Sequence, residues 1–459
     1  MNRILRSAVP VCAAVALAWG LSAPAVAAPD RGLTTIEGFA APGTPTKYNK
    51  VRILRQGPSR AANVLVLVPG TSAGAGNFRP VGRAIVERLP GWQVWSIERR
   101  ENLLEDHSVL KRYESGAADA AELVDYYLGW LTDPSSSPRF TPRTTENTAF
   151  AREWGLEVAV EDVRRVVRKA ASGGRSVVLG GHSLGGRIAA AYASWDFGGR
   201  AGAKDLSGLV FIDGSGASAA LPSPAQARAG LDRLQAGSPF SDLLRLGLPW
   251  VSGIFNALGS TTAVREPDAR SRLQQFPLVP GDLKPPVTAT NLAQYGYSVD
   301  ADTSPAYLEL VHSHIGRLAE AGDPRGWRDG ELGSARRAAQ VFAEKNGADG
   351  TSWYHPARLS LDASVVNNGV ANPAQGVLGV KATLGRKARV PMYGFDAALG
   401  DGRVSAATRA LAQLAGVPDR EVVTVDRSAT YGHIDPLSAA PDRNAFVRTV
   451  TRFLRTTVR

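Results

Sequence analysis

The chain has 459 residues, a formal net charge of +11, 44% hydrophobic and 21% charged residues, and a single cysteine. Cores stop growing near ~250–300 residues, so this length predicts either two domains or one fold with a large insertion, and the composition is that of a globular chain. One cysteine excludes a disulfide framework and any multi-thiolate metal site, and the basic residues do not gather into the runs of about 5–8 that mark a nucleic-acid tail.

Residues 1–28 read as an export signal. Arg3 and Arg6 precede an apolar run over 8–21, and Ala25-Val26-Ala27 supplies the small residues a signal peptidase needs just before Pro29-Asp30. Cys12 lies inside this segment, so cleavage leaves no thiol. No later stretch reaches the ~18 uninterrupted apolar residues of a membrane span, so a soluble, secreted mature protein is expected.

Short aliphatic runs then alternate with helical patterns, the signature of a sheet built from βαβ units. Strands are predicted over 50–54, 63–68 and 93–97. A smaller insertion, 101–148, carries a helical run at 118–131. A helix over 153–171 follows, with Leu156, Val160, Val163, Val167 and Ala171 at helical spacing. Strands come next at 176–180 and 208–212. After that the strand signal stops for most of 215–386, where helices are predicted over 225–234, 240–258, 306–321 and 334–345. A structureless loop of that length is implausible, so this segment is read as an inserted subdomain. Strands at 390–394 and 421–425, with a helix at 404–414 between them, close the pattern.

The strongest local signal is Gly181-His182-Ser183-Leu184-Gly185, followed by Gly186. It comes directly after a predicted strand and opens a helical run at 187–194, the strand–turn–helix context a G-x-S-x-G nucleophile turn requires. Glycines suit such a turn because neighbouring Cβ atoms would collide where helix and strand cross. The helix N-terminus behind Ser183 adds partial positive charge where an oxyanion would develop.

On these residues the chain resembles the α/β-hydrolase superfamily, in its serine esterase and lipase branch, over residues 50–214 and 387–454. The resemblance implies an α/β-hydrolase fold with a mostly parallel central sheet. Its core is divided into 29–214 and 387–459, with 215–386 as a large, mainly helical cap between the Ser183 and His433 halves. It implies that the oxyanion loop is Pro69-Gly70-Thr71-Ser72-Ala73-Gly74-Ala75-Gly76-Asn77, with Pro69 where relatives often carry His. Thr71 and Leu184 would then donate the two backbone N–H groups.

It also implies a late His as general base, and His433 in Tyr431-Gly432-His433-Ile434-Asp435-Pro436 fits that place. Of the other five, His182 packs inside the turn, and His107 and His355 fall in the insertions. His312 and His314 lie two apart on a predicted helix, facing different sides, so they make a poor metal site. Asp435 reads as a helix cap. The acid stays open: Asp213 is preferred because a buried strand delivers it to the sheet's carboxyl edge, with Asp401 and Asp396 in the family's usual slot. Asp401 also reads as the N-cap of helix 404–414. Glu98 to Asn102, ending a strand on the same edge, is read as a charged loop paired within itself.

The expectation is therefore a secreted serine carboxylester hydrolase using Ser183, His433 and Asp213. Its substrate would be a small-molecule ester with a hydrophobic part, and no metal, organic cofactor or nucleic acid is implied. A serine peptidase or amidase, an acyltransferase and a non-catalytic binding module remain alternatives. Phe240, Trp250, Phe255, Tyr295, Tyr297, Trp327, Trp353 and Tyr354 in the insertion are read as its own core, with some lining an acyl pocket.

Overall fold

The computed structural model describes residues 32–458 apart from 219 and 331, so the expected export signal lies outside the described residues. The strands are β1 (Leu33–Glu37), β2 (Lys50–Gln56), β3 (Asn63–Val68), β4 (Trp92–Glu98), β5 (Ser176–His182), β6 (Gly208–Ile212), β7 (Gly316–Gly322), β8 (Arg325–Asp329), β9 (Met392–Asp396) and β10 (Val422–Asp426). Eight of them form one sheet in the order β1-β2-β4-β3-β5-β6-β9-β10, and β7 with β8 forms a separate hairpin. From β4 to β10 every neighbouring pair is parallel, while β1 and β2 join antiparallel at one edge. The mostly parallel sheet expected from the strand spacing is present.

The helices of the first block are α1 (Arg79–Arg88), α2 (Ser108–Ser115), α3 (Ala120–Leu128), α4 (Leu156–Ala171) and α5 (Leu184–Ser194). The insertion between β6 and β9 carries α6 (Pro224–Ala236), α7 (Val251–Arg265), the short α8 (Arg272–Gln275), α9 (Asn291–Val299), α10 (Ala335–Phe342), α11 (Ala357–Ala363) and α12 (Pro373–Leu378). The chain ends with α13 (Arg403–Ala415), the single turn α14 (Asp435–Ser438) and α15 (Ala445–Thr456). Among the described residues no helix is long and apolar enough to cross a membrane.

Parallel strands covered on both faces must be apolar at every position, and β3 shows why. Val64, Val66 and Val68 face a core shared with α4, α5 and α13, while Leu65 and Leu67 face the opposite core with α1 and α15. The insertion does not sit apart from these layers. Ala227, Leu359 and Leu378 from α6, α11 and α12 join the first core, and Ala263, Tyr295, Val299 and Phe342 from α7, α9 and α10 join the second. A third cluster combines the two insertions, packing Tyr127 and Phe140 against Phe240, Trp250, Trp353 and Tyr354.

The structure departs from the expected elements in several places. Strand β1 was not anticipated, because its half-exposed sequence lacks apolar alternation and it is held by pairing with β2. The helix expected over 240–258 begins at Val251, since Gly247 takes φ 73° and Pro249 follows. Most sharply, 306–321 is no single helix. A 3-10 stretch, Ala306–Val311, gives way to β7, which pairs with β8 across the two-residue connection Asp323-Pro324; its sequence, bounded by Gly316 and Gly322 and interrupted by a bulge, lacks clean apolar alternation.

The tightest packing lies where α5 crosses the sheet. A Cβ at Gly185 would stand 1.9 Å from the Val68 carbonyl oxygen, and one at Gly181 would stand 2.1 Å from the Gly185 carbonyl carbon. Neither obstacle is a flexible side chain. Gly185→Ala is therefore expected to destabilise the fold by at least about 3 kcal/mol, read as a lower midpoint in urea unfolding. An unchanged midpoint would contradict this packing.

Candidate active site

Ser183 occupies the turn between β5 and α5 with φ 55° and ψ −125°, a conformation non-glycine residues rarely adopt. Strong neighbours hold it there. Its N–H donates to the Ile212 carbonyl at 2.9 Å, and its own carbonyl accepts from the Gly186 N–H at 3.0 Å. The turn lifts the side chain to the carboxyl edge of the sheet, at the N-terminus of α5.

Asp213 follows the last residue of β6 and also takes a positive φ, 44°. Its N–H donates to the Phe395 carbonyl of β9 at 2.8 Å. Oδ1 accepts from the N–H groups of Ala397 and Gly400 at 2.7 and 2.8 Å, and Oδ2 lies 2.6 Å from Nδ1 of His433. Burial by itself would raise this carboxyl. The hydrogen bond and charge of His433, with the Ala397 N–H, outweigh it and hold the pKa below the usual carboxylate value. An anionic Asp213 fixes the proton of the His433 ring on Nδ1, leaving Nε2 as the basic nitrogen.

The other acids have different occupations. Asp396 is fully buried and caps α13, accepting from the N–H groups of Val404 and Ser405 at 2.7 and 2.9 Å and from the Ser405 hydroxyl. The N-cap position of α13 is Gly402, so the capping role expected of Asp401 belongs to the Asp396 side chain. Asp401 is exposed, 3.8 Å from Arg403. Asp435 opens α14, but it does more than cap. Its carboxylate accepts from the Gly432 N–H, the Ser313 hydroxyl, and both the N–H and Nδ1 of His314 at 2.6–2.9 Å. With the Ile434 N–H donating to the His312 carbonyl at 2.9 Å, residues 312–314 of the insertion clamp the loop that carries His433. His312 and His314 thus lie on an extended segment, not the expected helix.

His182 is 2% exposed. Its Nε2 donates to the His433 carbonyl at 2.9 Å, and the two rings stand 4.3 Å apart between centroids. Burial and the adjacent His433 push its pKa down to about 3, so it is neutral in ordinary conditions. Sequence reasoning placed His182 beside the turn but missed this link, because the partner lies 251 residues away.

The loop 69–77 runs against Ser183: a Cβ on Gly70 would stand 2.9 Å from the Ser183 Cβ. Arg99 holds this loop from beneath, donating to the carbonyls of Pro69 and Gly70 at 2.6 and 3.0 Å while pairing with Glu101 at 2.5 Å. Of the pairing expected within 98–102 only Arg99 with Glu101 is present; Glu98 pairs with Arg52 at 3.3 Å and Arg100 with Asp162 at 2.7 Å, so these charges tie the segment to other elements. Among the described residues the N–H groups of Thr71 and Leu184 have no protein acceptor.

Ser183, His433, His182 and Thr71 line a cavity of about 220 Å³. Its far wall comes from the insertion and is mainly apolar, with Phe255 of α7, Leu273 of α8, Tyr295 of α9 and Leu308 among the contributors. Of the insertion's aromatics, Phe255 and Tyr295 reach this wall, while Phe240, Trp250, Trp353 and Tyr354 are core.

One group of metal-ligating side chains converges elsewhere. Ligand atoms of Glu105, His107 and Asp349 lie within 4.8 Å of one another. Both ring nitrogens of His107 already face carboxylates, Nδ1 at 2.6 Å from Glu344 and Nε2 at 2.8 Å from Glu105, and the ring stacks on Trp353. Asp349 accepts from the N–H and hydroxyl of Thr351. The group closes on itself as an ion-pair network joining the two insertions. Burial pushes Glu105 up to about 8 and Asp349 up to about 7. Burial also opposes charge on His107, but Glu344 and Glu105 outweigh it and raise its pKa.

Residues 63–229 match the sequence profile of a family described as alpha/beta hydrolase fold, a span from β3 through Ser183 and Asp213 into α6. No protein of curated function matches the sequence. Similar solved structures include a protein assigned as a lipase from Sulfolobus solfataricus, with TM-score 0.46 and 14% identity over 92% of this chain and 93% of that one. A thioesterase domain from the curacin biosynthetic pathway has TM-score 0.42 and 12% identity over 92% and 99%. A thermophilic esterase from Thermogutta terrifontis has TM-score 0.39 and 12% identity over 93% and 99%. Likenesses this distant say nothing of substrate. The architecture and the matched profile identify the α/β-hydrolase fold and support hydrolase chemistry at the coarsest level.

On the serine-hydrolase reading proposed below, Asp213→Asn should lower kcat on a p-nitrophenyl ester by about 10⁴-fold, because the ring loses the anion that fixes its tautomer, and Asp401→Asn should stay near the wild-type rate. From about pH 6.5 upward stability should fall as pH rises, since the depressed His182 acts in the opposite sense only below its unfolded value of about 6.5. Raised carboxyls at Glu105 and Asp349 bind more protons in the folded chain than in the unfolded one between about pH 4 and 8, so their contribution is lost across that window. The raised His107 has the same sign: its contribution is full below its unfolded pKa of about 6.5 and is lost as pH rises through its folded value. Thermal melting should drop by a few degrees from pH 6 to pH 9, and Glu105→Gln should flatten the decline.

Proposed function

We propose that the protein is an exported serine hydrolase that cleaves carboxylic esters bearing a hydrophobic group. The observation that carries this reading is the 2.6 Å contact between Asp213 and His433, with His433 and the strained Ser183 lining one cavity. The reaction follows from those positions. Ser183 Oγ attacks the ester carbonyl carbon as His433 Nε2 takes its proton. The carbonyl oxygen becomes an anion and is met by the unoccupied N–H groups of Thr71 and Leu184, each donor being worth on the order of 3 kcal/mol. Collapse breaks the bond to the alkoxy group, which leaves as alcohol with the proton from His433. Water then attacks the acyl-enzyme, His433 again taking and returning the proton, and the acid departs. Asp213 stays ionised throughout and stabilises the imidazolium.

On this reading residues 215–386 act as the substrate-binding cap, with the apolar wall of Phe255, Leu273, Tyr295 and Leu308 taking the acyl or alkyl part. The strained Ser183 and the braced loop are preorganised for a tetrahedral intermediate, which favours catalysis over passive binding. Residues 1–28 would direct export. A fluorophosphonate probe should label the wild-type protein and leave Ser183→Ala unlabelled. On a series of p-nitrophenyl esters, kcat/KM should rise as the acyl chain lengthens from acetate. A folded wild type that fails to label would overturn the hydrolase reading.

A further inference from the structure

His433 is the base on the proposed reading, and its usefulness depends on how accurately Nε2 is aimed at Ser183. Nδ1 is fixed by Asp213 at 2.6 Å. One contact leaves the ring and its backbone free to pivot about that bond. The loop holding His433 is also secured through Asp435 and residues 312–314 and by the Ala398 N–H donating to the Tyr431 carbonyl at 2.8 Å, and among the described residues none of these hydrogen bonds reaches the turn that carries Ser183. The side chain that joins the two halves of the site is His182. It is the chain neighbour of Ser183, the last residue of β5, and it pairs in register with Ile212.

The geometry points to His182 as a positioning residue that sets the distance between base and nucleophile, by tying the His433 backbone to the turn that carries Ser183. Its Nε2–H reaches the His433 carbonyl at 2.9 Å, and its ring packs against the His433 ring at 37°. A carbonyl oxygen can only accept, so the proton of His182 resides on Nε2 and its tautomer is set. Asp213 and His182 thus grip His433 at two points, one on the ring and one on the backbone. Burial among apolar strands keeps His182 uncharged, so it places no second positive charge beside the imidazolium that forms during turnover. A ring at this position also fills the space under Gly70, whose hypothetical Cβ would stand 3.5 Å from His182 Nδ1. The base, the nucleophile and the start of the oxyanion loop therefore meet around one neutral imidazole.

This inference rests on the serine-hydrolase reading, and the test separates the two. His182→Phe keeps a ring in place and removes the donor. His182→Asn has an amide too short to reach the carbonyl, and serves if the Phe variant does not fold. His182→Gln can extend a donor to the same oxygen. With a p-nitrophenyl ester, the Phe or Asn variant should lose about 10²-fold in kcat, the effect of an error of about 1 Å in aim, with KM within a factor of about two. The Gln variant should recover at least a tenth of the wild-type rate. The His433–Asp213 proton, followed as a low-field ¹H NMR resonance, should broaden in the donor-lacking variants and sharpen again in the Gln variant. Wild-type kcat in the folded Phe or Asn variant would overturn the assignment, as would an equal loss in Gln and Phe. Failure of the wild type to react with a fluorophosphonate would instead overturn the hydrolase reading itself.

Discussion

Everything at the functional edge of this protein depends on backbone touching backbone where three strands end. At Gly185 the first turn of α5 lies on the last carbonyl of β3, and at Gly214 the chain leaving β6 lies on the carbonyl of Ser183, where a Cβ would stand 1.9 Å away. With no side chain between them, the ends of β3, β5 and β6 are locked at a fixed separation. Each end then projects one functional group. The loop after β3 gives Thr71, the turn after β5 gives Ser183, and the residue after β6 gives Asp213. Two of those positions carry non-glycine residues at positive φ, a cost of order 1–3 kcal/mol each that the surrounding packing holds in place.

That dependence explains what could be read from the sequence. The parallel strands are apolar at consecutive positions because both faces are covered, so β3, β5 and β6 announce themselves. The Ser183 turn is legible for a steric reason: its glycines are demanded within five residues of each other. Other features are faint because their own residues are poorly patterned. β1 is half exposed and β7 is bounded by glycines and bulged, so neither shows clean alternation although β2 and β8 follow closely in the chain. The candidate acids were ambiguous because what each one meets is set by the fold. Asp213, Asp396 and Asp401 are equivalent as letters. They separate only when the N-terminus of α13 is seen to occupy Asp396, solvent to surround Asp401, and His433 to meet Asp213.

The insertions are bound into the rest of the protein by polar groups as much as by apolar ones. Arg79 donates to the carbonyls of Lys345 and Ala348, and the N–H groups of Gly74 and Gly76 donate to Gly350 and Asp349. Glu98, at the end of β4, accepts from the Ala75 N–H. These bonds place Asp349 of the His107 network against the far end of the 69–77 loop. Buried charge of this kind contributes little net stability, but breaking it by removing one partner is costly, so it specifies one arrangement of the two insertions.

The clamp formed by Asp435 and residues 312–314 has a consequence for how such a protein can be altered. The segment that walls the cavity also holds the loop bearing His433, so the cavity wall and His433 are not separable parts. Exchanging the whole insertion for that of another protein would remove the support of His433 along with the old wall. Wall positions such as Phe255 of α7 and Leu273 of α8, which line the cavity from elements other than the 312–314 segment, can be altered one side chain at a time. The molecule is modular in appearance and indivisible in use.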